Sequence, residues 1–290
     1  MNFISKLFWP VTAPIKFIQE NFKTVLFLTL LYLLFYVNSD TQNIDKANLQ
    51  TIDLSGPIMS SKKILEKIDE AKENKNIKGV LLNVNSPGGA VAPSVEIAYA
   101  IKELNAIKPV VAYANGTMAS GSYYASIYAS KIIANPGSMI GSIGVIMQSV
   151  DASELMSKIG VKSQSVKVGQ YKEAGTPIRT WTKKEREELQ KITQNTYDMF
   201  VSDVAKARGL KKEDHTVYAD AHIFTASLAH KVKLVDEVAT RTRAKKLVEE
   251  LSKVDKPIWT KEDKMDKFME KLTSSAIAQI TNNVNGLMAF

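Results

Sequence analysis

A chain of 290 residues with 45% apolar and 23% charged side chains can fill one large domain or two small ones. It has no cysteine, which removes disulfides, thiolate nucleophiles and cysteine-based zinc sites, and which is compatible with an oxidising compartment. The net charge of +8 comes from 38 basic and 30 acidic residues spread along the sequence. Without a basic block carrying interleaved aromatics, that balance speaks against nucleic acid as a partner.

Residues 1–16 form a short N-terminus containing Lys6 and Lys16, and an uncharged run, TVLFLTLLYLLFYV, follows from Thr24 to Val37. Counted from Phe17, the run reaches the roughly 20 residues a spanning helix needs, provided Glu20 and Lys23 reach the headgroup region. Asn38, Ser39 and Asp40 make a poor small-x-small cleavage site, so 17–37 is read as a retained anchor and not as a removed signal peptide. Lysines precede the run while Asp40 and Asp45 follow it, which orients the N-terminus to the cytoplasm and the remaining chain outside. Residues 38–50, NSDTQNIDKANLQ, are polar and aperiodic and read as a tether.

Folded sequence is expected over 51–254. Apolar β-branched runs alternate there with helical patterns: TIDLSG, a helix from Ser60 to Asn74, KGVLLNVNSPGG, a helix from Pro93 to Ala106, and PVVAYANG. This alternation predicts βαβ units and a mainly parallel sheet within an α/β fold. A helical run from Ala119 to Ala129 follows, then short apolar stretches at Lys131–Ala134 and Ile143–Ser149, and a candidate strand at Val161–Val168. Thr182 is placed to cap a long amphipathic helix ending near Arg208, whose stripe of Leu189, Ile192, Tyr197, Phe200 and Val204 reads as packing. Residues 255–290 form a tail with Met265, Phe268, Met269 and Leu272 at helical spacing, suited to another subunit, a membrane surface or its own domain.

Two turns carry the candidate chemistry. Asn85-Ser86-Pro87-Gly88-Gly89 follows a buried strand and precedes a helix, where free amides and paired glycines can receive an anion, although the same pattern also makes an ordinary turn. Thr117-Met118-Ala119-Ser120-Gly121 follows the next strand and sets Ser120 between small neighbours at a helix start, where it can be a nucleophile or an N-cap. In a parallel sheet both turns lie at the carboxyl edge that binds ligands.

A serine nucleophile needs a base. His215, His222 and His230 are distant in sequence but not excluded by that. Lys172, in VGQYKEAGTP, is a second candidate, since a lysine amine serves as base when burial favours its neutral form. Side-chain chemistry alone does not select this lysine from the many others.

The stretches NSPGG, NGTMASGSYYAS, GSMIGSIGVI and VGQYKEAGTPIR, in this order, resemble the signal peptide peptidase A family of serine proteases, peptidase family S49, over about 51–236. The resemblance implies a Clp protease and crotonase-like α/β fold and a Ser-Lys dyad without metal or cofactor. By match, Ser120 is the nucleophile, Lys172 the general base, Ser142 the residue that orients the lysine, and Gly89 and Gly121 the oxyanion donors. The single-copy length resembles the short form, which implies a homo-oligomeric ring with serine and lysine supplied by neighbouring protomers. Signal peptides and other membrane-associated peptides are the implied substrates, and a bacterial cytoplasmic membrane, with the catalytic domain outside, the implied location. The segment VYADAHIFTASLAHKVKLVDEV departs from the family pattern, which has Gly-Arg where Ala221-His222 stand. A crotonase-like acyl-CoA enzyme and a non-catalytic membrane scaffold of the same fold are the alternatives.

Overall fold

The computed structural model describes residues 17–32 and 47–260. The chain divides into two compact units, one comprising 1–47 with 258–290 and the other Asn48–Pro257. In the first, residues 17–32 are helical with a turn at Asn21, and their apolar side chains, Phe17, Phe22 and Phe27 among them, are exposed. Among the described residues no helix is long and apolar enough to cross a membrane. The expected anchor continues through 33–37, which lies outside the described residues, as do the N-terminus 1–16, most of the tether and the tail from 261 onwards.

The second unit is a mixed α/β structure around a seven-stranded sheet. Its strands are β1 (Leu49–Ser55), β2 (Gly79–Ser86), β3 (Val110–Ala119), β4 (Lys131–Ala134), β5 (Met139–Gly141), β6 (Ile223–Thr225) and β7 (Glu237–Val238). The helices are α1 (Lys62–Glu73), α2 (Val91–Asn105), α3 (Gly121–Ser126), α4 (Ser153–Lys158), α5 (Lys183–Arg208), α6 (His215–Tyr218), α7 (Ala226–Lys231) and α8 (Arg241–Ser252). The main path runs β1-β2-β3-β4-β7, all parallel. Strand β2, GVLLNVNS, is buried at every position except Asn85, the near-continuous apolar run of a strand covered on both faces.

Helix packing follows from the spacing of apolar residues. In α2, Ser94, Ile97, Ala98, Ile101 and Leu104 recur at intervals of three and four and are buried. Lys108 finishes α1 by donating to the carbonyls of Ala71, Lys72 and Asn74, groups that a helix C-terminus leaves without partners. Helix α8 lies on β2 and β3, where Gly79 leaves room for Val248 and Ser252. In α5 the expected cap is present as a complete capping box: Thr182 Oγ1 accepts from the Glu185 amide, and Glu185 Oε2 accepts from the Thr182 amide. The helix stops at Gly209, whose φ of 63° suits a left-handed cap.

Three sequence expectations change. The apolar stripe of α5 packs only in its C-terminal half, through Phe200, Val201, Val204 and Ala205, whereas Ile192 is 49% exposed. The run Ile143–Ser149 forms no strand; the pairing falls just before it, in β5. Val161–Val168 is also not a strand: all eight positions are exposed, and no neighbouring strand offers a partner for its alternating pattern.

Candidate active site

The site is built where β3 forks. Val111–Ala114 pairs with β4, and Thr117–Ala119 pairs with β5. Between these halves the β2 to β3 register jumps from Val84↔Ala114 to Ser86↔Met118. The Asn85 carboxamide bridges the jump by accepting the Thr117 amide at 3.0 Å, and a side chain at Gly116 would collide with it. The bulge thus steers the end of β3 toward β5. There the Ser120 N–H donates to the Gly141 carbonyl at 2.8 Å.

Ser120 joins β3 to α3 with φ 53° and ψ −124°, backbone angles that a residue with a Cβ adopts only under strain. A sharp strand-to-helix turn of this kind lifts a serine hydroxyl clear of the sheet edge. Gly121 is the first residue of α3, so its amide has no intrahelical acceptor.

The Pro-Gly-Gly turn packs directly on this serine. A Cβ at Gly88, whose φ is +92°, would lie 2.6 Å from the Gly121 nitrogen and 2.8 Å from Ser120 Cβ. Gly89 forms an isolated parallel bridge with Ile58, in which the Ile58 amide donates to Gly88 and the Ala90 amide donates to Ile58, both at 2.8 Å. The Gly89 amide is left on the side away from Ile58, and its nitrogen lies 3.3 Å from where a Gly121 Cβ would stand. Two unpaired amides therefore converge beside the Ser120 side chain, the arrangement that stabilises a developing oxyanion.

These residues border a shallow, open cleft. Val91 and Val95 of α2, Tyr124 of α3, Val145, and Met199 and Phe200 of α5 supply its apolar surface. Phe200 meets Tyr124 edge-on at 4.8 Å, and the Tyr124 hydroxyl donates to Asp203. Burial and then the Asp203 carboxylate push the Tyr124 hydroxyl's pKa up, so it stays protonated and fixed. Helix α5, read from sequence as packing, therefore also forms one wall of the cleft.

Ser142 follows the carbonyl that holds the Ser120 amide. It is half-buried, with φ 49°, and its amide donates to His222 O at 2.7 Å. The opposing turn also has positive φ at Asp220 (53°) and Ala221 (56°), and the Ala221 amide donates to Ile143 O at 2.9 Å. The place where the sequence departs from the family pattern is thus a strained turn resting on the residues around Ser142.

Lys172 stands elsewhere. It lies in a turn closed by its own amide on Gly169 O, within 157–172, all of which is exposed, and it does not line the cleft. Its neighbour Glu173 is held by Ser165, Lys167 and Arg179, and Arg179 also makes a two-pronged contact with Glu185 at 2.7 and 2.9 Å. None of His215, His222 and His230 lines the cleft; His215 Nδ1 meets the Tyr197 hydroxyl at 2.9 Å. Among the described residues no group of three acidic or histidine side chains could hold a metal.

Sequence reasoning did not find Ser94 or Ser122. Ser94 is buried, bonds to Ala90 O at 2.8 Å and occupies the space a Gly121 side chain would need. Ser122 is fully buried next to the Ser120 turn. Neither carries a one-dimensional signal, because each acts through a neighbour distant along the chain.

Fold and site together define a mixed α/β protein with a strained serine facing two backbone amides. Residues 102–255 match the model of Peptidase family S49, and the chain belongs to this family. A Methanocaldococcus jannaschii protein named as a protease is 43% identical over 190 residues, covering 66% of this chain and 61% of that protein. One from Synechocystis, also named as a protease, is 33% identical over 72% of this chain and 76% of its own length. An Enterococcus faecium protein named as signal peptide peptidase SppA is 36% identical over 60% of this chain and 51% of its own. The chain thus spans between about half and three quarters of the length of these relatives.

Proposed function

We propose that this protein is a membrane-anchored serine endopeptidase with the Clp protease and crotonase-like fold, cleaving signal peptides and other membrane-associated peptides through a Ser120–Lys172 dyad. The observation that carries this reading is the strained Ser120 turn abutting the free amides of Gly89 and Gly121. An enolate-stabilising acyl-CoA enzyme would use the two amides but has no need of a strained serine between them.

Ser120 Oγ attacks the scissile carbonyl and passes its proton to the Lys172 amine, which Ser142 orients. The amides of Gly89 and Gly121 hold the oxyanion as the tetrahedral intermediate forms. The protonated lysine then gives its proton to the leaving amine, and water, deprotonated by the same lysine, releases the acyl group. An apolar cleft beside Ser120 suits an apolar side chain next to the cut, in keeping with hydrophobic peptides. The anchor over 17–37, with the catalytic unit outside the cytoplasm, would place the enzyme at such substrates.

The exposure of Lys172, away from the cleft, supports a ring in which each lysine serves a neighbour's serine. Mixing tests this. Chains with Ser120→Ala and chains with Lys172→Ala are each expected to be inactive, and co-expressed they should regain part of the peptidase activity. Mixed rings verified by mass and still inactive would rule out the shared dyad. A fluorophosphonate that fails to label Ser120 would rule out the serine mechanism.

A further inference from the structure

Beneath the two oxyanion amides lies a side chain that the proposed reaction does not use. Ser122 is fully buried, one residue beyond Gly121 in the first turn of α3. Its Oγ accepts the Ala119 amide at 2.9 Å. The same hydroxyl lies 2.7 Å from the Ser86 carbonyl and 2.9 Å from the Ala119 carbonyl. Ala119 immediately precedes the nucleophile, and Ser86 begins the Ser-Pro-Gly-Gly turn that carries the other amide. Ser86 Oγ continues the linkage by accepting the Gly88 amide at 3.2 Å. Ser126, one helical turn on, donates to Ser122 O at 2.8 Å and helps hold its backbone in place.

One hydroxyl therefore ties together the two turns that each contribute an oxyanion donor. These turns come from different strands, β2 and β3, whose register shifts between Val84 and Ser86, so a single pair, Ser86↔Met118, follows the irregularity before the turns begin. Glycines at 88, 89 and 121 bring them close but add no side chain to lock them. We propose that Ser122 is a positioning residue that sets the separation of the Gly89 and Gly121 amides, and hence the strength of the oxyanion hole. The proposal rests on the serine-peptidase reading above.

Ser122→Ala keeps the Cβ but removes the tie. Oxyanion stabilisation acts on the transition state more than on bound substrate, so the loss belongs in kcat. With a peptidyl 4-nitroanilide bearing an apolar residue at the cleaved bond, kcat should fall about 10- to 100-fold while KM stays within about twofold. A peptide aldehyde of the same sequence, which forms a tetrahedral adduct, should lose affinity by a similar factor. Ser122→Thr, which retains the hydroxyl, should recover most of both. Should Ser122→Ala fail to fold, Ser122→Cys, with a weaker donor and acceptor in the same place, should show a smaller loss of the same kind.

A folded Ser122→Ala or Ser122→Cys chain with wild-type kcat would overturn the proposal. So would a kcat loss with unchanged aldehyde affinity, since the defect would then lie outside the oxyanion hole. Fluorophosphonate labelling separates the two levels. Wild-type protein unlabelled at Ser120 overturns the serine reading itself, whereas labelled wild type with an unaffected Ser122→Ala overturns only the role of Ser122.

Discussion

Ser120 combines a proposed chemical role with an unfavourable backbone, and substitution can separate the two. Alanine at 120 removes the hydroxyl but retains the Cβ that makes φ 53° costly, whereas glycine removes both. Ser120→Gly should therefore be as inactive as Ser120→Ala yet more stable by about 1 kcal/mol, read from urea midpoints. A Ser120→Gly chain less stable than Ser120→Ala, as the added freedom of glycine in the unfolded chain alone would make it, would show that the turn holds no strain. The positions of Ser120, Gly88, Gly89 and Gly121 were legible in the sequence because small residues after apolar strands are a local pattern. The backbone angles were not, and neither was Ser122, whose partner Ser86 lies 36 residues away.

Among the elements, α5 was read to within a residue because capping signals lie beside the helix they start. The misread strand at Val161–Val168 shows the reverse case: alternation describes a strand only when another strand is there to pair with it. What orders that part of the chain is charge. Glu173 and Glu185 are both held down to about 2, Glu173 by Lys167 first, then Ser165 and Arg179, and Glu185 by Arg179 first, then the Thr182 amide. Carboxyls depressed in the fold stabilise it above their unfolded pKa near 4.3, and this contribution fades as pH falls toward about 2. The turn carrying Lys172 should accordingly hold its amide protection at neutral pH and lose it on acidification below about pH 4. In Arg179→Ala the protection should already be reduced at neutral pH. Hydrogen exchange over 165–180 measures both, and unaltered exchange in Arg179→Ala would remove the network from any role in holding this turn.

For the molecule as a whole, the sequence conveyed the parallel α/β plan, since alternating strands and helices leave few ways to cover a sheet. It conveyed less about what the exposed segment beyond β5 does. Ile146, Val150, Leu155, Ile159, Val166 and Val168 are between 62% and 103% exposed. Under the ring proposal this surface meets the neighbouring copy. Val166→Asp with Val168→Asp should leave the fold intact, because neither side chain packs within its own chain, but shift the sedimentation profile toward monomer. An unchanged profile would place the contact elsewhere.

The distance between Lys172 and the Ser120 cleft also has a consequence for control. Under the shared-dyad proposal, a chain whose nucleophile is complete and whose base points outward would be harmless alone, as a precursor with an inhibitory segment would be. Turnover per chain would then depend on crowding: silent while newly made copies are sparse, switched on as they accumulate, and switched off again by dilution. Serial dilution of purified protein should give specific activity that falls away below the assembly threshold and returns on reconcentration. Activity strictly proportional to concentration, across a range in which sedimentation shows the copies separating, would mean that a single chain is sufficient.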